Sequence, residues 1–248
     1  MNKRKIIISI AITLAGYVIA ELCAVNAQDL KREAGYKRPV QLKLGLAGLT
    51  ESFYPIGWSE NGAFAYIVEP ADEACGCYFA NLVIKDLKTD KVLWHFDYES
   101  TGFDEKDNKP KSIRAFWQFN QKLFSKKLRE HQIRQKTGFV LEFFPIINDG
   151  DELTVTLSVE RDRKRWETQF VSAIGVQVSS KRKGKKIVYE DRDLADSQVL
   201  DATLLGYLKS SLEPRIALIL IEVHRGYEGP PNVAKVKLVG SDLSSGFK

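Results

Sequence analysis

The run of residues 216–223 constrains the fold most, because it is nearly all apolar and carries only one charged side chain, Glu222. It is far too short to cross a bilayer, which takes about 20 apolar residues. It also lacks the alternation of a strand that has one solvated face. The run therefore predicts a central strand that is covered on both faces.

Other runs predict further strands around this one. Residues 153–159 alternate Leu and Val with Thr and Ser, and residues 233–239 alternate again, as strands with one buried face do. Asn61-Gly62 supplies the turn of a hairpin. The remaining strands are predicted at residues 41–46, 52–58, 63–68, 81–87, 91–96, 139–147, 168–179 and 185–189. This pattern is typical of a mainly antiparallel β protein.

One segment, residues 112–136, has the pattern of a long amphipathic helix. Its apolar side chains recur on a single stripe, formed by Ile113, Phe116, Trp117, Phe124 and Leu128. Gly138 stands where such a helix would stop. The predicted fold class is therefore α+β overall, mainly antiparallel β with one helical insertion near residues 112–136 that packs against the sheet.

Two stretches resemble each other and suggest an internal repeat. Ile56-Gly57-Trp58 and Leu205-Gly206-Tyr207 each precede a polar turn and an apolar strand that ends in Glu. A Gly-aromatic strand followed by a self-similar partner is typical of blade-like repeats in a propeller-type sheet. A coincidence of hairpin chemistry explains the same likeness, and both interpretations stay open.

The amino terminus predicts export. Three basic residues within the first five precede a charge-free run at residues 6–20, and Val25-Asn26-Ala27 supplies small exit residues. This order is typical of a cleaved signal peptide over residues 1–27. The rest, residues 28–248, is then a single exported β-rich domain that is periplasmic or secreted and meets the membrane only through its signal.

Two other interpretations of the leader are a retained membrane anchor and a lipid attached to Cys23. The second is disfavoured because Glu21 and Leu22 stand where small residues normally precede the lipid-bearing cysteine. The formal net charge of +5 is mildly basic, and the basic runs are interpreted as solvated surface rather than as a nucleic-acid site.

Two segments resemble a family of predicted secreted bacterial proteins of unknown function. The first is the opening Gly-aromatic-Ser-x-x-Gly element within residues 56–66, and the second is the tail Arg225-Gly226-Tyr227-Glu228-Gly229-Pro230. The resemblance implies an exported protein. It implies no reaction.

Cys75-Gly76-Cys77 is the most unusual local motif. In an exported chain these are the only cysteines left, and Gly76 permits the bend that a local disulfide needs. Free thiols, a redox pair and a copper or zinc site are the alternatives. A metal site would need further ligands.

The other candidate ligand-facing residues are His95, His224 and Glu228. No His pair has zinc spacing and no nucleophile elbow occurs, so no catalytic residue, metal or cofactor is predicted. Acidic loop groups are interpreted as solvated turns.

These observations predict a non-catalytic binding or interaction module of the bacterial envelope, with an unknown protein or envelope ligand as its partner. The alternative is an exported thiol/disulfide or hydrolytic enzyme that uses Cys75 and Cys77 or a pocket histidine.

Overall fold

Antiparallel strands make up most of the chain in the computed structural model, which describes residues 35–73, 76–100, 109–161, 170–194 and 196–248. All regular elements lie in the unit Arg38–Lys248, and of the unit Met1–Lys37 only residues 35–37 are described. The predicted signal peptide therefore lies outside the described residues.

The elements in chain order are β1 (Leu49–Thr50), β2 (Ser52–Trp58), β3 (Ala63–Glu69), β4 (Tyr78–Asp86), β5 (Val92–Ser100), α1 (Ile113–Glu130), β6 (Arg134–Gln135), β7 (Ile146–Asn148), β8 (Asp151–Arg161), β9 (Val171–Ser180), β10 (Gly184–Asp191), β11 (Val199–Lys209), β12 (Arg215–His224) and β13 (Val233–Asp242). The described part of the chain is thus mainly β with a single helix, which confirms that prediction.

The strands form three sheets. The central sheet has the order β1-β13-β12-β11, the five-stranded sheet has the order β5-β4-β3-β2-β6, and the outer sheet has the order β10-β9-β8-β7. Every pairing is antiparallel except that of β1 with β13, which is parallel.

Strand β12 is buried on both faces, as predicted. Its side chains at positions 216, 218 and 220 join the core between the central and outer sheets. Those at positions 217, 219 and 221 join the core between the central and five-stranded sheets. The central sheet is therefore the middle layer, and the apolar run of the sequence fixes its place.

Helix α1 packs on the far face of the five-stranded sheet through aromatic side chains. The ring centroid of Phe124 lies 5.4 Å from that of Phe96 and 5.1 Å from that of Phe116. At its start, Ser112 Oγ accepts a hydrogen bond from the Ala115 N–H at 3.3 Å, which satisfies one of the free donors of the first turn.

The helix ends earlier than predicted. Its last residue is Glu130 and not residue 136, because Gln132 takes a left-handed conformation (φ +54°) that a helix cannot continue through. Arg134–Gln135 then forms β6. The Lys and Arg residues near the end of the helix also favour a helical conformation, so the sequence did not reveal that the helix stops at Glu130.

Two predicted strands are wrong. Residues 41–46 contribute one bridge, Leu42 to Phe53, before Gly45 turns the chain with φ +69°. Of residues 139–147 only the last two enter β7, since Pro145 lacks the N–H that a ladder needs. Residue 168 lies outside the described residues, and β9 begins at Val171.

The two similar stretches form hairpins of the same design in different sheets. β2 pairs with β3 and β11 pairs with β12, and each first strand has a bulge just before its glycine, between Pro55 and Gly57 or between Leu204 and Gly206. The arrangement of propeller blades stays a prediction.

Candidate functional site

The predicted site residues fall into two separate regions. His95 lies on β5, an edge strand of the five-stranded sheet, where its side chain is 62% exposed and its Nε2 is 3.4 Å from Asp97 Oδ2. The side chains on either side of it, Trp94 and Phe96, point the other way and contact α1. His95 is thus a surface residue of the alternating strand rather than part of a pocket.

His224 instead ends β12, where it belongs to a cluster of ionisable side chains. Its Nε2 lies 3.3 Å from Glu222 Oε2, and Lys237 Nζ lies 3.0 Å from the other oxygen, Glu222 Oε1. Lys237 also lies 3.5 Å from Asp191 Oδ2 and over the ring of Tyr189, 4.9 Å from its centroid. We call these five residues the ionic cluster.

The register of the strands explains why these residues meet. In the ladder of β12 with β13, Glu222 stands opposite Lys235 and Leu220 stands opposite Lys237. Directly opposite residues of an antiparallel pair share a face, so Lys237 faces the outer sheet together with Glu222. Tyr189 and Asp191 reach the same place from the end of β10.

Burial and contact oppose each other in the ionic cluster. Burial alone would raise the pKa of Glu222, but its contacts with His224 and Lys237 outweigh burial and hold that pKa below its usual range. Burial likewise opposes the charge on Lys237, yet its contacts with Tyr189 and Glu222 raise its pKa. The charges compensate one another, so the cluster is suited to holding β10 against β13.

A neighbouring carboxyl group behaves differently. Glu51 follows β1 and accepts a hydrogen bond from the Val236 N–H at 2.7 Å. Burial raises its pKa, and this effect exceeds the opposing influence of the Val236 N–H and of Lys235. The sequence carries no signal for this contact, because the two residues are joined only by the parallel pairing of β1 with β13.

The loop that follows His224, residues 225–231, folds tightly on itself and is hydrogen-bonded to Gln198. We call it the tail loop. A Cβ atom at Gly226 would stand 2.4 Å from the carbonyl oxygens of Gly229 and Pro231, so only glycine fits there. The Gly229 N–H donates to Gly226 O at 3.0 Å and the Arg225 N–H donates to Gln198 O at 3.1 Å.

The tail loop contacts the segment that leads to the predicted cysteine pair. The Tyr227 N–H donates to Glu73 Oε2 at 2.7 Å. Cys77 lies half-buried directly before β4, and Gly76 has the positive φ (+64°) that the predicted bend requires. Cys75 lies outside the described residues, so the disulfide stays a prediction.

A tyrosine–carboxylate network borders Cys77. Glu69, at the end of β3, accepts hydrogen bonds from Tyr54 Oη and, at 2.7 Å, from Tyr78 Oη. Burial and the contact with Glu69 raise the pKa of both tyrosines. Both hydroxyl groups therefore stay protonated and act as donors that fix the end of the sheet.

The structure thus places Glu228 on the tail loop that follows His224 and links this loop through Glu73 to the segment before Cys77, whereas His95 lies on an edge strand. Glu228 lies exposed on the tail loop. Sequence reasoning assigned Glu73 and Asp191 to solvated acidic turns. It placed Tyr189 and Lys237 on predicted strands at residues 185–189 and 233–239 without a role in a site.

Two surface clefts lie away from these residues. One, of about 470 Å³ including open solvent, is lined by Arg38, Pro55, Lys136 and Phe139 among others. The other, of about 520 Å³, is lined by Asn61, Asp86, Glu130 and His131 among others. Neither is lined by a residue that the sequence singled out as ligand-facing.

Within the described ranges, no group of three or more His, Cys, Asp or Glu side chains is arranged to hold a metal ion. The helix of the described chain is not long and apolar enough to span a bilayer.

Comparison with known protein families, curated proteins and solved structures finds no match to this chain.

Proposed function

We propose that the chain is an exported, non-catalytic module of the bacterial envelope that binds a partner protein. The basic, apolar and small-residue order of residues 1–27 supports export. The resemblance of residues 56–66 and of the tail Arg225 to Pro230 to secreted bacterial proteins supports it as well.

The observation that carries the binding function is the display of Tyr227. The residue is 86% exposed although its backbone N–H is hydrogen-bonded to Glu73 and the loop around it closes tightly at Gly226. A large ring held in water loses little conformational entropy when it is covered, and Tyr is among the residues that dominate interface energies. The tail loop therefore presents a ready anchor for a partner.

The surroundings of Tyr227 have the polarity of an interface rim. Arg225 and Glu228 belong to the same loop, Glu73 accepts the Tyr227 N–H, and all three side chains are exposed. A central aromatic within a polar rim of both charges is the usual anatomy of a protein–protein interface. The mixture of signs favours a protein partner over a uniformly anionic lipid or polymer surface.

The proposal is tested by site-specific photo-crosslinking in intact cells. A photoreactive phenylalanine analogue at position 227 should give one discrete protein adduct of the exported chain. The matched control is the same analogue at position 187, since Ile187 is 66% exposed on β10. It should give none.

A competition experiment then distinguishes specific binding at Tyr227 from crosslinking by chance proximity. The adduct at position 227 should disappear when unmodified wild-type chain is co-expressed, and should persist with Tyr227→Ala as the competitor. Equal adducts at positions 227 and 187, or an adduct with polysaccharide instead of protein, would contradict the proposal.

Export is tested separately by cell fractionation and amino-terminal sequencing. The chain should lie outside the cytoplasm and begin at Gln28. A cytoplasmic chain that still begins at Met1 would contradict export, and would leave the role of Tyr227 to be judged by the crosslinking result.

A thiol–disulfide enzyme is the second candidate, and one contact favours it. Glu73 holds the tail loop against the segment that leads to Cys77, so a substrate protein bound at that loop would be anchored on the same segment. This candidate requires disulfide exchange with a reduced substrate protein that is lost in Cys75→Ser.

The two similar hairpins are also proposed to be copies of one repeat unit. Each has a bulge, then a glycine, and each glycine faces a backbone carbonyl of a later or earlier segment: Arg134 O at Gly57 and Glu142 O at Gly206. Substitutions at the two glycines test this, because copies of one design should respond alike.

A further inference from the structure

Strand β8 has an open edge along most of its length. It pairs with β9 from Leu153 to Arg161, but on its other side β7 covers only Asp151–Leu153. Among the described residues, no strand pairs with the outer side of residues 154–160. In the described part of the chain, the N–H and C=O groups on that side therefore have no ladder partner.

The hairpin register identifies these groups. Asn148 and Asp151 flank the two-residue turn Asp149-Gly150, so they form a hydrogen-bonded pair. Outward and inward backbone groups alternate from there. The open edge thus presents the N–H and C=O of Val155, Leu157 and Val159.

The side chains of the same three residues fix this strand in place. Val155, Leu157 and Val159 pack against the core between the central and outer sheets. Thr154, Thr156 and Ser158 alternate with them on the exposed face. A slip by one residue would expose the apolar row, so the register of the open edge is fixed.

Other edges of the described sheets are covered or charged. Glu142 bridges the edge of β11 at Tyr207, and Lys248 pairs with Lys185 on the edge of β10. The exposed face of β5 carries Asp97 and Glu99. Natural sheets block unwanted pairing with such devices, whereas residues 154–159 of β8 contain no charge and no proline.

The open edge is complementary to itself. In an antiparallel pair centred on Leu157, Val155 of one copy faces Val159 of the other, and all three outward residues form hydrogen-bonded pairs. Thr156 then faces Ser158, and Glu160 faces Thr154, so no like charges meet. We infer that two copies of this chain dimerise by pairing their β8 edges, which joins their outer sheets into one continuous sheet.

The test uses the full chain expressed with its own leader and purified, with its mass followed by light scattering across a dilution series. Wild type should be a dimer. Thr156→Lys with Ser158→Lys places two lysine pairs directly opposite each other across the two-fold axis, and should raise the dimer dissociation constant about tenfold or more. Both positions are exposed, so the monomer should fold normally.

Charge reversal supplies the rescue and the control. Thr156→Glu with Ser158→Glu should also be a monomer, and an equimolar mixture of the lysine and glutamate variants should form a heterodimer. Ile187→Lys adds charge to the same sheet at its far edge and should leave the dimer unchanged.

Amide hydrogen exchange gives an independent readout. The amides of Val155, Leu157 and Val159 should become more protected as concentration rises. Those of Thr156 and Ser158, which point to β9, should not change. The inference would be overturned if wild type stayed monomeric at all concentrations, or if the lysine pair left the dimer intact. It would also be overturned if the β8 edge became protected only when a peptide was added.

Discussion

Glu222 is a carboxylate placed among apolar side chains, and it stays charged because Lys237 and His224 bind its two oxygens. Burial works against this charge, but the contacts prevail and lower the pKa of Glu222. A carboxyl group with a lowered pKa stabilises the fold above its ordinary pKa of 4.5. That stability is lost as the pH falls through the folded-state pKa.

Glu222→Gln should therefore destabilise the fold at neutral pH by about 1–3 kcal/mol, because Lys237 loses its closest carboxylate. The difference from wild type should shrink in acid, where Glu222 itself becomes protonated. Urea unfolding at neutral pH and at about pH 3 measures both.

Glu190→Gln is the control for this change, since Glu190 lies exposed on β10 of the outer sheet and pairs with Arg192. It should shift stability by less than about 0.5 kcal/mol. Equal destabilisation by Glu222→Gln at both pH values would show that the loss is one of packing and not of charge.

Gly57 and Gly206 should each resist substitution by alanine. A Cβ atom would stand 2.0 Å from Arg134 O at Gly57 and 2.4 Å from Glu142 O at Gly206, and a backbone carbonyl cannot move without breaking its bridge. Each change should cost about 2 kcal/mol or more in unfolding free energy.

Gly175→Ala is the matched control for both, because its added methyl would meet only the rotatable Ser158 Oγ at 2.6 Å. Its effect should stay below about 1 kcal/mol. If Gly57 and Gly206 respond differently from each other, the proposed common repeat loses its support.

At the scale of elements, helix α1 should stabilise the five-stranded sheet through one face only. Phe124 is fully buried against Phe96 and Phe116, whereas Phe119 on the same helix is 73% exposed. Phe124→Ala should cost about 3–5 kcal/mol, and Phe119→Ala should change stability by no more than about 0.5 kcal/mol. Denaturant unfolding of the two variants measures this contrast.

The elements also show what a single sequence can predict. Periodicity located β8, β13 and most of α1, since each buries a regular pattern of side chains, and an unbroken apolar run located β12. It missed β1 and β6, two-residue strands that exist only because distant segments pair with them, and the start of β11, of which only the stretch from Leu205 stood out. The helix end at Glu130 was hidden because basic residues favour both a helix and its terminus.

The candidate site was predictable only in part for the same reason. His224 and the tail-loop residue Glu228 stood out locally. Lys237 and Tyr189 join the site through strand register and sheet packing, which local sequence patterns do not reveal. Glu73, which precedes Cys77, joins the tail loop to the segment that leads to that cysteine.

At the scale of the whole molecule, β12 couples two cores. Leu218 faces the core shared with the outer sheet, and Ile219 faces the core shared with the five-stranded sheet. Leu218→Ala and Ile219→Ala should each cost about 2–5 kcal/mol in unfolding free energy. Both should lower the midpoint of a single unfolding transition that the two cores share.

Two probes check that cooperativity. Fluorescence of the buried Trp58 reports on the core beside the five-stranded sheet, and amide exchange in β9 reports on the outer sheet. Coincident transitions in both variants are expected. Separate transitions would mean that the two cores unfold independently.

The parallel pairing of β1 with β13 joins residues that are synthesised early in translation to residues that are synthesised late. While the polypeptide is being synthesised, β1 emerges near the beginning and its ladder partner, Val233 to Ala234, emerges close to the finish. Strand β1 consequently lacks its ladder partner until β13 has been synthesised. A nascent chain of this kind stays unfinished, and in need of protection from aggregation, for nearly the entire duration of its translation.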